Sequence, residues 1–149
     1  MVDRRIFLKG VAGSVGLTLA SPVLLRADDD GEWQAWRRDI LAGRDALSGG
    51  ITLDLPAVAE NGAQVPLTVH VESPMSEDDH ITAIHIIATR NPAPEIGSFH
   101  LTPTLTRAEV MTRIRVAEEQ DIIVLAEASD GRVLEHVASI IVSIGGCVT

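Results

Sequence analysis

The residue best suited to covalent chemistry is Cys147, the one cysteine of the chain, which follows Gly145 and Gly146. An apolar alternation runs up to Ile144 and stops there, so the cysteine lies outside any strand pattern. Two successive glycines give the backbone a freedom that other residues lack. The pattern predicts a thiol at the end of a flexible tether anchored by a strand. The alternative is a tail cysteine without a role, because chain termini are often poorly ordered.

Residues that would activate Cys147 do not accompany it in the sequence. A thiolate forms readily at neutral pH when a histidine or a cation lies beside it, and the tail supplies neither. An unassisted thiol suits a carrier better than an enzyme, since the enzymes that receive it would supply the activating groups. We therefore predict no catalytic residue in this chain.

The remaining polar residues predict neither a metal site nor a cofactor site. The histidines are scattered over separate predicted strands and loops, without the close spacing of a zinc motif. Ser73 and Ser139 lack the pattern of a nucleophile elbow, and no glycine-rich phosphate loop occurs. The five histidines are His70, His80, His85, His100 and His136.

The first 27 residues resemble an export signal. Arg4-Arg5 is followed by Phe7-Leu8-Lys9 at the spacing of a twin-arginine signal, and a weakly apolar run follows from Val11 to Leu25. That run is shorter than the ~20 apolar residues that cross a bilayer, so a membrane anchor is not expected. The predicted location is the periplasm. Export also makes the single cysteine informative, because exported cysteines normally pair within the chain.

The chain is strongly acidic, with 12 basic and 21 acidic residues and a net charge of −9. Removal of residues 1–27 takes away four basic residues and one acidic residue, which leaves eight against twenty, or about −12. Such a surface repels phosphate backbones and anionic lipid headgroups, so nucleic-acid and membrane-surface binding are not expected.

Residues 31–42 have helical spacing, with Trp33, Trp36 and Ile40 on one face and Gly43 as a possible end. The simpler interpretation is that both tryptophans cap the core, and the alternative is that the helix docks onto a partner.

After Gly49-Gly50 the sequence changes to about seven strand-like segments separated by turns, which is typical of an immunoglobulin-like β-sandwich. The predicted organisation is a signal peptide at 1–27, a helical segment at 28–50, a sandwich at 51–144 and a C-terminal arm at 145–149. The predicted strands are 51–55, 65–71, 81–89, 99–101, 110–116, 121–128 and 133–144.

Taken together, several segments of the chain resemble SoxY, the cysteine-bearing subunit of the sulfur-oxidising carrier complex. The segments that carry the resemblance are Ile51–Pro56, Ala59–Gly62, Glu72–Met75, Asn91–Glu95, Thr112–Arg115 and Ile144–Cys147. The resemblance implies covalent attachment of sulfur at Cys147, with Gly145 and Gly146 as the tether. It also implies a SoxZ-like partner subunit, loading with thiosulfate by the c-type cytochrome SoxXA, sulfate removal by the hydrolase SoxB, and processing of the remaining sulfur by the sulfane dehydrogenase SoxCD or by another system.

One departure from the family pattern concerns the residues after the cysteine. The family ends Gly-Gly-Cys-Gly-Gly, whereas Val148 and Thr149 follow Cys147 here and make the tip bulkier and stiffer. A divergent carrier with altered partner enzymes or another sulfur substrate stays open. Two other functions stay open as well: a thiol-dependent sulfurtransferase, and a structural module whose cysteine only forms an intermolecular disulfide.

Overall fold

The computed structural model of the protein describes residues 31–143. The predicted signal segment lies outside the described residues, and so do Gly145, Gly146 and Cys147. Within 31–143 the chain forms one helix and nine strands. These are α1 (Glu32–Leu41), β1 (Ala46–Ser48), β2 (Ile51–Asp54), β3 (Val58–Ala59), β4 (Val65–Val71), β5 (Ile81–Ala88), β6 (Glu95–His100), β7 (Ala108–Ile114), β8 (Gln120–Ala128) and β9 (Val133–Val142).

The strands form two sheets packed face to face, which confirms the predicted all-β immunoglobulin-like sandwich. The larger sheet has the order β1-β9-β8-β5-β6, and β3 also pairs with β9. The smaller sheet has the order β2-β4-β7. Both β1 and β3 run parallel to β9, whereas the other pairings within the two sheets are antiparallel. The seven predicted strands are present with shifted ends, and the two very short strands β1 and β3 are additional.

Alternation of side chains along the strands builds the core between the sheets. In β4 every second residue is buried, and the same pattern begins β7. The central strands β5 and β8 are apolar on both faces, because their outer faces are covered as well. The largest fully buried side chains of the core are Leu67, Ile84, Ile86, Ile114, Ile122 and Ile140.

Helix α1 covers part of the outer face of the larger sheet. Leu41, Trp33 and Ile40 pack there against a second apolar cluster formed by Ile87, Ile123, Leu125 and Val133. Trp36 does not take part and is 41% exposed, so the prediction that both tryptophans cap the core is wrong for Trp36. The helical spacing correctly identified an apolar stripe on the helix. The sheet contacts only the part of this stripe that carries Trp33 and Ile40.

The end of the helix differs slightly from the predicted end at Gly43. Ala42 adopts the left-handed conformation with φ 48°, and its N–H donates to the carbonyl of Arg38 at 2.9 Å. Gly43 follows with φ 80°, a value that favours glycine. The helix therefore ends at Leu41, two residues before Gly43, with Ala42 as its cap. At ten residues it is too short to cross a membrane, and no other helix is present in the part of the chain that the structure describes.

Candidate functional site

The end of β9 is the described feature nearest in sequence to Cys147. Its penultimate residue, Ile141, donates its N–H to the carbonyl of Ala57 at 2.9 Å, and the N–H of Ser143 donates to Ala59 at 2.9 Å. Ser143 is therefore held by the sheet four residues before the cysteine. Four extended residues span at most about 14 Å, so the Cα atom of Cys147 lies within about 14 Å of that of Ser143.

Gly62 packs against this end of β9 more closely than any other residue type could. The N–H of Val116 donates to the carbonyl of Gly62 at 2.7 Å. A Cβ atom on Gly62 would lie 2.2 Å from the carbonyl oxygen of Val116 and 3.2 Å from Cγ1 of Val142. The chain turns at Asn61-Gly62, where Asn61 Oδ1 accepts the N–H of Ala63 at 2.9 Å. Close packing of the chain explains the glycine.

A network of two side-chain amides, the half-buried Asn91 and the buried Gln120, fixes the loops beside Gly62. Asn91 donates through Nδ2 to the carbonyl of Arg115 at 2.7 Å, and its Oδ1 accepts the N–H of Ala117 at 3.0 Å. Gln120, which is 5% exposed, donates to the same Oδ1 at 2.9 Å and accepts the N–H of Arg90 at 2.8 Å. All four heteroatoms of the two side chains are bonded, which makes this end of the sandwich rigid.

A second polar network crosses the outer face of the larger sheet. His85, which is 9% exposed, contacts the hydroxyl of Ser98 through Nδ1 at 2.8 Å and Oε1 of Glu127 through Nε2 at 2.9 Å. Arg44 donates to Oε2 of Glu127 at 2.6 Å and also to the carbonyls of Ile40 and Leu41. The network therefore joins the C-terminal end of α1 to three strands of the sheet.

Glu127 is the charged centre of this network. Burial alone would raise the pKa of Glu127, but the hydrogen bonds from Arg44 and His85, helped by the charges of both groups, outweigh burial and lower it. Arg37 forms a separate two-pronged ion pair with Glu135, at 2.6 and 2.7 Å, whose hydrogen bonds raise the pKa of Arg37. Both ion pairs fasten the helix to the sheet.

The other histidines lie apart from one another. His70 is in β4, 3.7 Å from Glu109 of β7, and His80 contacts the carbonyl of Ser76 from a loop. His100 ends β6 and His136 lies within β9. Over residues 31–143 no three histidine, aspartate, glutamate or cysteine side chains come together as metal ligands.

Sequence reasoning missed both polar networks. Glu127 is 42 residues from His85 and 83 from Arg44, so no local pattern connects them. The role of Asn91 was weakly indicated by its sequence context. The adjacent Pro92 marks a loop, and asparagine side chains often bond to the backbone of loops. Ser73 and Ser139 have local partners: Ser73 accepts the N–H of Met75, and Ser139 donates to Asp121.

Several solved structures are similar to this chain. The sulfur carrier protein SoxY from Chlorobium limicola f thiosulfatophilum is 29% identical, with a TM-score of 0.59 over 74% of this chain and 98% of that one. Superoxide reductase (neelaredoxin) from Ignicoccus hospitalis is 12% identical, with a TM-score of 0.57 over 64% of this chain and 81% of that one. A putative superoxide reductase from Thermotoga maritima is 17% identical, with a TM-score of 0.55 over 67% and 89%. The two reductases share the fold alone.

No curated protein matches the chain. The family described as sulfur oxidation protein SoxY matches residues 37–147, which is most of the sequence and includes the whole sandwich. The match begins within α1 and ends at the cysteine. Together with the similarity to the Chlorobium carrier, it establishes that this chain belongs to the SoxY family of sulfur oxidation proteins.

Proposed function

We propose that the chain is a covalent carrier of thiosulfate-derived sulfur, with Cys147 as the attachment point and Gly145 and Gly146 as its tether. The observation that carries the proposal is the extent of the family match, which runs through residue 147 and so includes both glycines and the cysteine. The similar Chlorobium structure is itself described as a sulfur carrier protein. A carrier role also suits a thiol that has no activating partner in the neighbouring sequence.

The proposed loading step is an oxidation. A bond forms between Sγ of Cys147 and the outer sulfur of thiosulfate, the thiol gives up its proton, and two electrons pass to a c-type cytochrome of the SoxXA kind. Hydrolysis of the product by a SoxB-like enzyme breaks the bond between the two thiosulfate sulfurs with one water molecule. Sulfate and two protons leave, and a persulfide stays on Cys147. A SoxCD-like dehydrogenase would then oxidise the remaining sulfur.

The described residues contribute a firm base for this carrier segment. Ser143 is bonded to β3, and Gly62 packs against Val142 and Val116. Ser143 is therefore a fixed position four residues before Cys147, and the Cα atom of Cys147 is limited to a radius of about 14 Å around it. A fixed base with a short reach lets a partner enzyme locate the thiol by docking onto the sandwich.

Partners and location form part of the proposal. The carrier would be exported to the periplasm by the twin-arginine route, as the pattern from Arg4 to Lys9 indicates. It would pair with a SoxZ-like β-sandwich subunit. Val148 and Thr149 enlarge the tip relative to Gly-Gly, so the partner enzymes of this chain would have wider entrances than those of glycine-tipped carriers.

The test is intact-protein mass spectrometry of the chain purified without reductant from cells that oxidise thiosulfate. Adducts that correspond to thiosulfate or to added sulfur atoms should be present, should be released by reductant, and should be absent from Cys147→Ser. Protein recovered only as an unmodified thiol or a simple disulfide dimer would contradict the proposal and favour the structural module. Sulfur transfer with turnover by the isolated chain would instead favour the sulfurtransferase.

A further inference from the structure

A cavity opens between the edge strands of the two sheets, at the same end of the sandwich as the end of β9. Its volume is about 420 Å³, and it lies where β6 begins and β7 ends. Two segments that carried the family resemblance, 91–95 and 112–115, meet in it, and the carrier chemistry of Cys147 gives neither of them a role. The residues of its wall that matter below are Asn91, Pro92, Ile96, Arg113, Arg115 and Ala117.

Two arginines without an ion-pair partner face this cavity. Arg113 and Arg115 are two residues apart on β7 and its extension, so both lie on the same face of the strand. Among residues 31–143, no carboxylate oxygen lies within 4.0 Å of either guanidinium group. Glu95 also lines the cavity and brings a negative charge to its wall, and its Oε1 accepts the Ser98 hydroxyl at 3.3 Å. Two neighbouring like charges without partners repel each other, and a bound anion would relieve that repulsion.

A second cavity shows how arginines are neutralised elsewhere in the same protein. It measures about 350 Å³ and is lined by Arg37, Arg38 and Arg44. There Arg37 is paired with Glu135, and Arg44 is paired with Glu127. Among residues 31–143, Arg38, Arg90 and Arg107 also make no ion pair, and Arg113 and Arg115 differ from them in lying two residues apart beside one cavity.

The cavity wall is held in place before any ligand arrives. Asn91 bonds the carbonyl of Arg115 and the N–H of Ala117, and Gln120 holds Asn91 in turn. The backbone that carries Arg115 is thus fixed from both sides, which reduces the entropy lost on binding. Pro92, Ile96 and Ala117 supply an apolar part of the wall.

We infer that this cavity binds free thiosulfate or a closely related sulfur oxyanion, held by Arg113 and Arg115. Guanidinium groups bind oxyanions through paired, charge-assisted hydrogen bonds, which suits the three oxygens of the ligand. The outer sulfur of thiosulfate is soft and polarisable and fits the apolar wall better than a fourth oxygen would. The anion site rests on geometry alone, whereas the choice of a sulfur oxyanion rests on the proposed function.

The position of the cavity would keep the ligand near the carrier segment. Val116, between two residues of the cavity wall, is bonded to Gly62, which packs against Val142 at the end of β9. Only the loop at 60–63 separates the wall from the strand that leads to Cys147. The site would therefore raise the local concentration of the substrate around a carrier whose overall charge repels anions.

The experiment is a titration of the chain carrying Cys147→Ser, in which covalent loading is impossible. Thiosulfate, sulfate and phosphate are added at constant ionic strength, and binding is followed by calorimetry and by the amide resonances of Asn91, Arg115 and Ala117. Thiosulfate should bind saturably, more tightly than sulfate or phosphate, and should shift these resonances. In Arg113→Gln/Arg115→Gln the affinity should fall about tenfold or more, as expected for loss of charge-assisted hydrogen bonds.

The matched control is Arg38→Gln/Arg107→Gln, which removes the same charge from two exposed arginines outside the cavity. Its affinity should stay within about twofold of the unaltered protein, given the screening of distant charges at 0.15 M salt. An equal loss in both double variants would mean that only net charge matters and would overturn the site. Equal affinity for sulfate and thiosulfate would overturn the assignment of the ligand. Neither result would alter the adducts on Cys147 that test the carrier function.

Discussion

The main-chain nitrogen of Ser143 lies 2.9 Å from the carbonyl oxygen of Ala59, and this hydrogen bond ties the end of β9 to β3. The two-residue strand β3 pairs with β9 in parallel, Val58 with Ile141 and Ala59 with Val142. A strand of two residues contributes little to the stability of the sheet. Its role is to hold the end of β9 in place. The pairing with β3 fixes Ser143, which is four residues before Cys147 in the sequence.

The first prediction concerns Gly62. Gly62→Ala places a methyl group 2.2 Å from the backbone oxygen of Val116, which cannot move without shifting the loop. We expect a loss of about 1–3 kcal/mol in the free energy of unfolding, the usual cost of overpacking. Urea denaturation measures it. Gly97→Ala is the control, since a Cβ there would meet Phe99 at an ordinary 3.5 Å. Equal stability of the two variants would contradict the close packing.

The second prediction concerns Asn91. Asn91→Ala removes the partners of the Arg115 carbonyl, the Ala117 N–H and the Gln120 amide, so it should cost about 1–3 kcal/mol of unfolding free energy. Asn61→Ala is the control, because that side chain makes a single exposed turn bond and should cost clearly less. Thermal and urea denaturation of both variants supply the comparison. A loss for Asn91→Ala no greater than that for Asn61→Ala would show that the network does not support the loops.

The third prediction is a pH dependence centred on Glu127. In the folded state the pKa of Glu127 lies below its ordinary value of 4.5. The folded state therefore favours the ionised carboxylate more than the unfolded state does. The resulting stabilisation is fully present above about pH 4.5 and is lost as the pH falls through the folded pKa. Glu127→Gln should therefore destabilise the protein by about 1–2 kcal/mol at pH 7, and this difference should shrink on acidification below pH 4.5.

The control for this prediction is Glu77→Gln, an exposed carboxylate in the loop before β5. Its effect on stability should stay within about 0.5 kcal/mol at every pH. Denaturation curves collected from pH 7 down to the acid limit of folding give both profiles. A Glu127→Gln difference that stays constant through the acid range would rule out the ionised carboxylate as the source of the stabilisation.

The fourth prediction separates the two tryptophans. Trp33 packs on the apolar cluster below α1, whereas Trp36 is 41% exposed. Trp33→Ala should cost about 2–3 kcal/mol, less than a fully buried tryptophan because the side chain is half-buried. Trp36→Ala should change the unfolding free energy by less than about 0.5 kcal/mol. Denaturation followed by circular dichroism measures both, and a larger loss at Trp36 would contradict the packing of the helix.

The longer strands were predictable because each has a strong repeat of its own. In β4 and β7 alternate residues are apolar, and β5 and β8 are mostly apolar segments bounded by turns. By contrast β1 and β3 have three and two residues, too few to carry a period, and they exist only because β9 offers them an edge.

The site was predictable only in part. Cys147 and its glycines stand out by composition and spacing, because a cysteine after two glycines needs no partner to be noticed. The link between Arg44, His85 and Glu127 depends on residues brought together by the sheet order, and a single sequence does not contain that order. The partial exposure of Trp36 was unpredictable for the same reason. An apolar stripe on a helix does not show how much of that stripe the sheet covers.

The two parallel pairings of β9 also set the order in which the protein can fold. β1 and β3 come early in the domain, yet their partner is the last described strand, more than eighty residues further along. Their hydrogen bonds cannot form until β9 has been synthesised, and contacts over such separations slow the search for the native state. The larger sheet is therefore completed only once β9 is available, and a chain cut before β9 would leave β8 as an open, aggregation-prone edge.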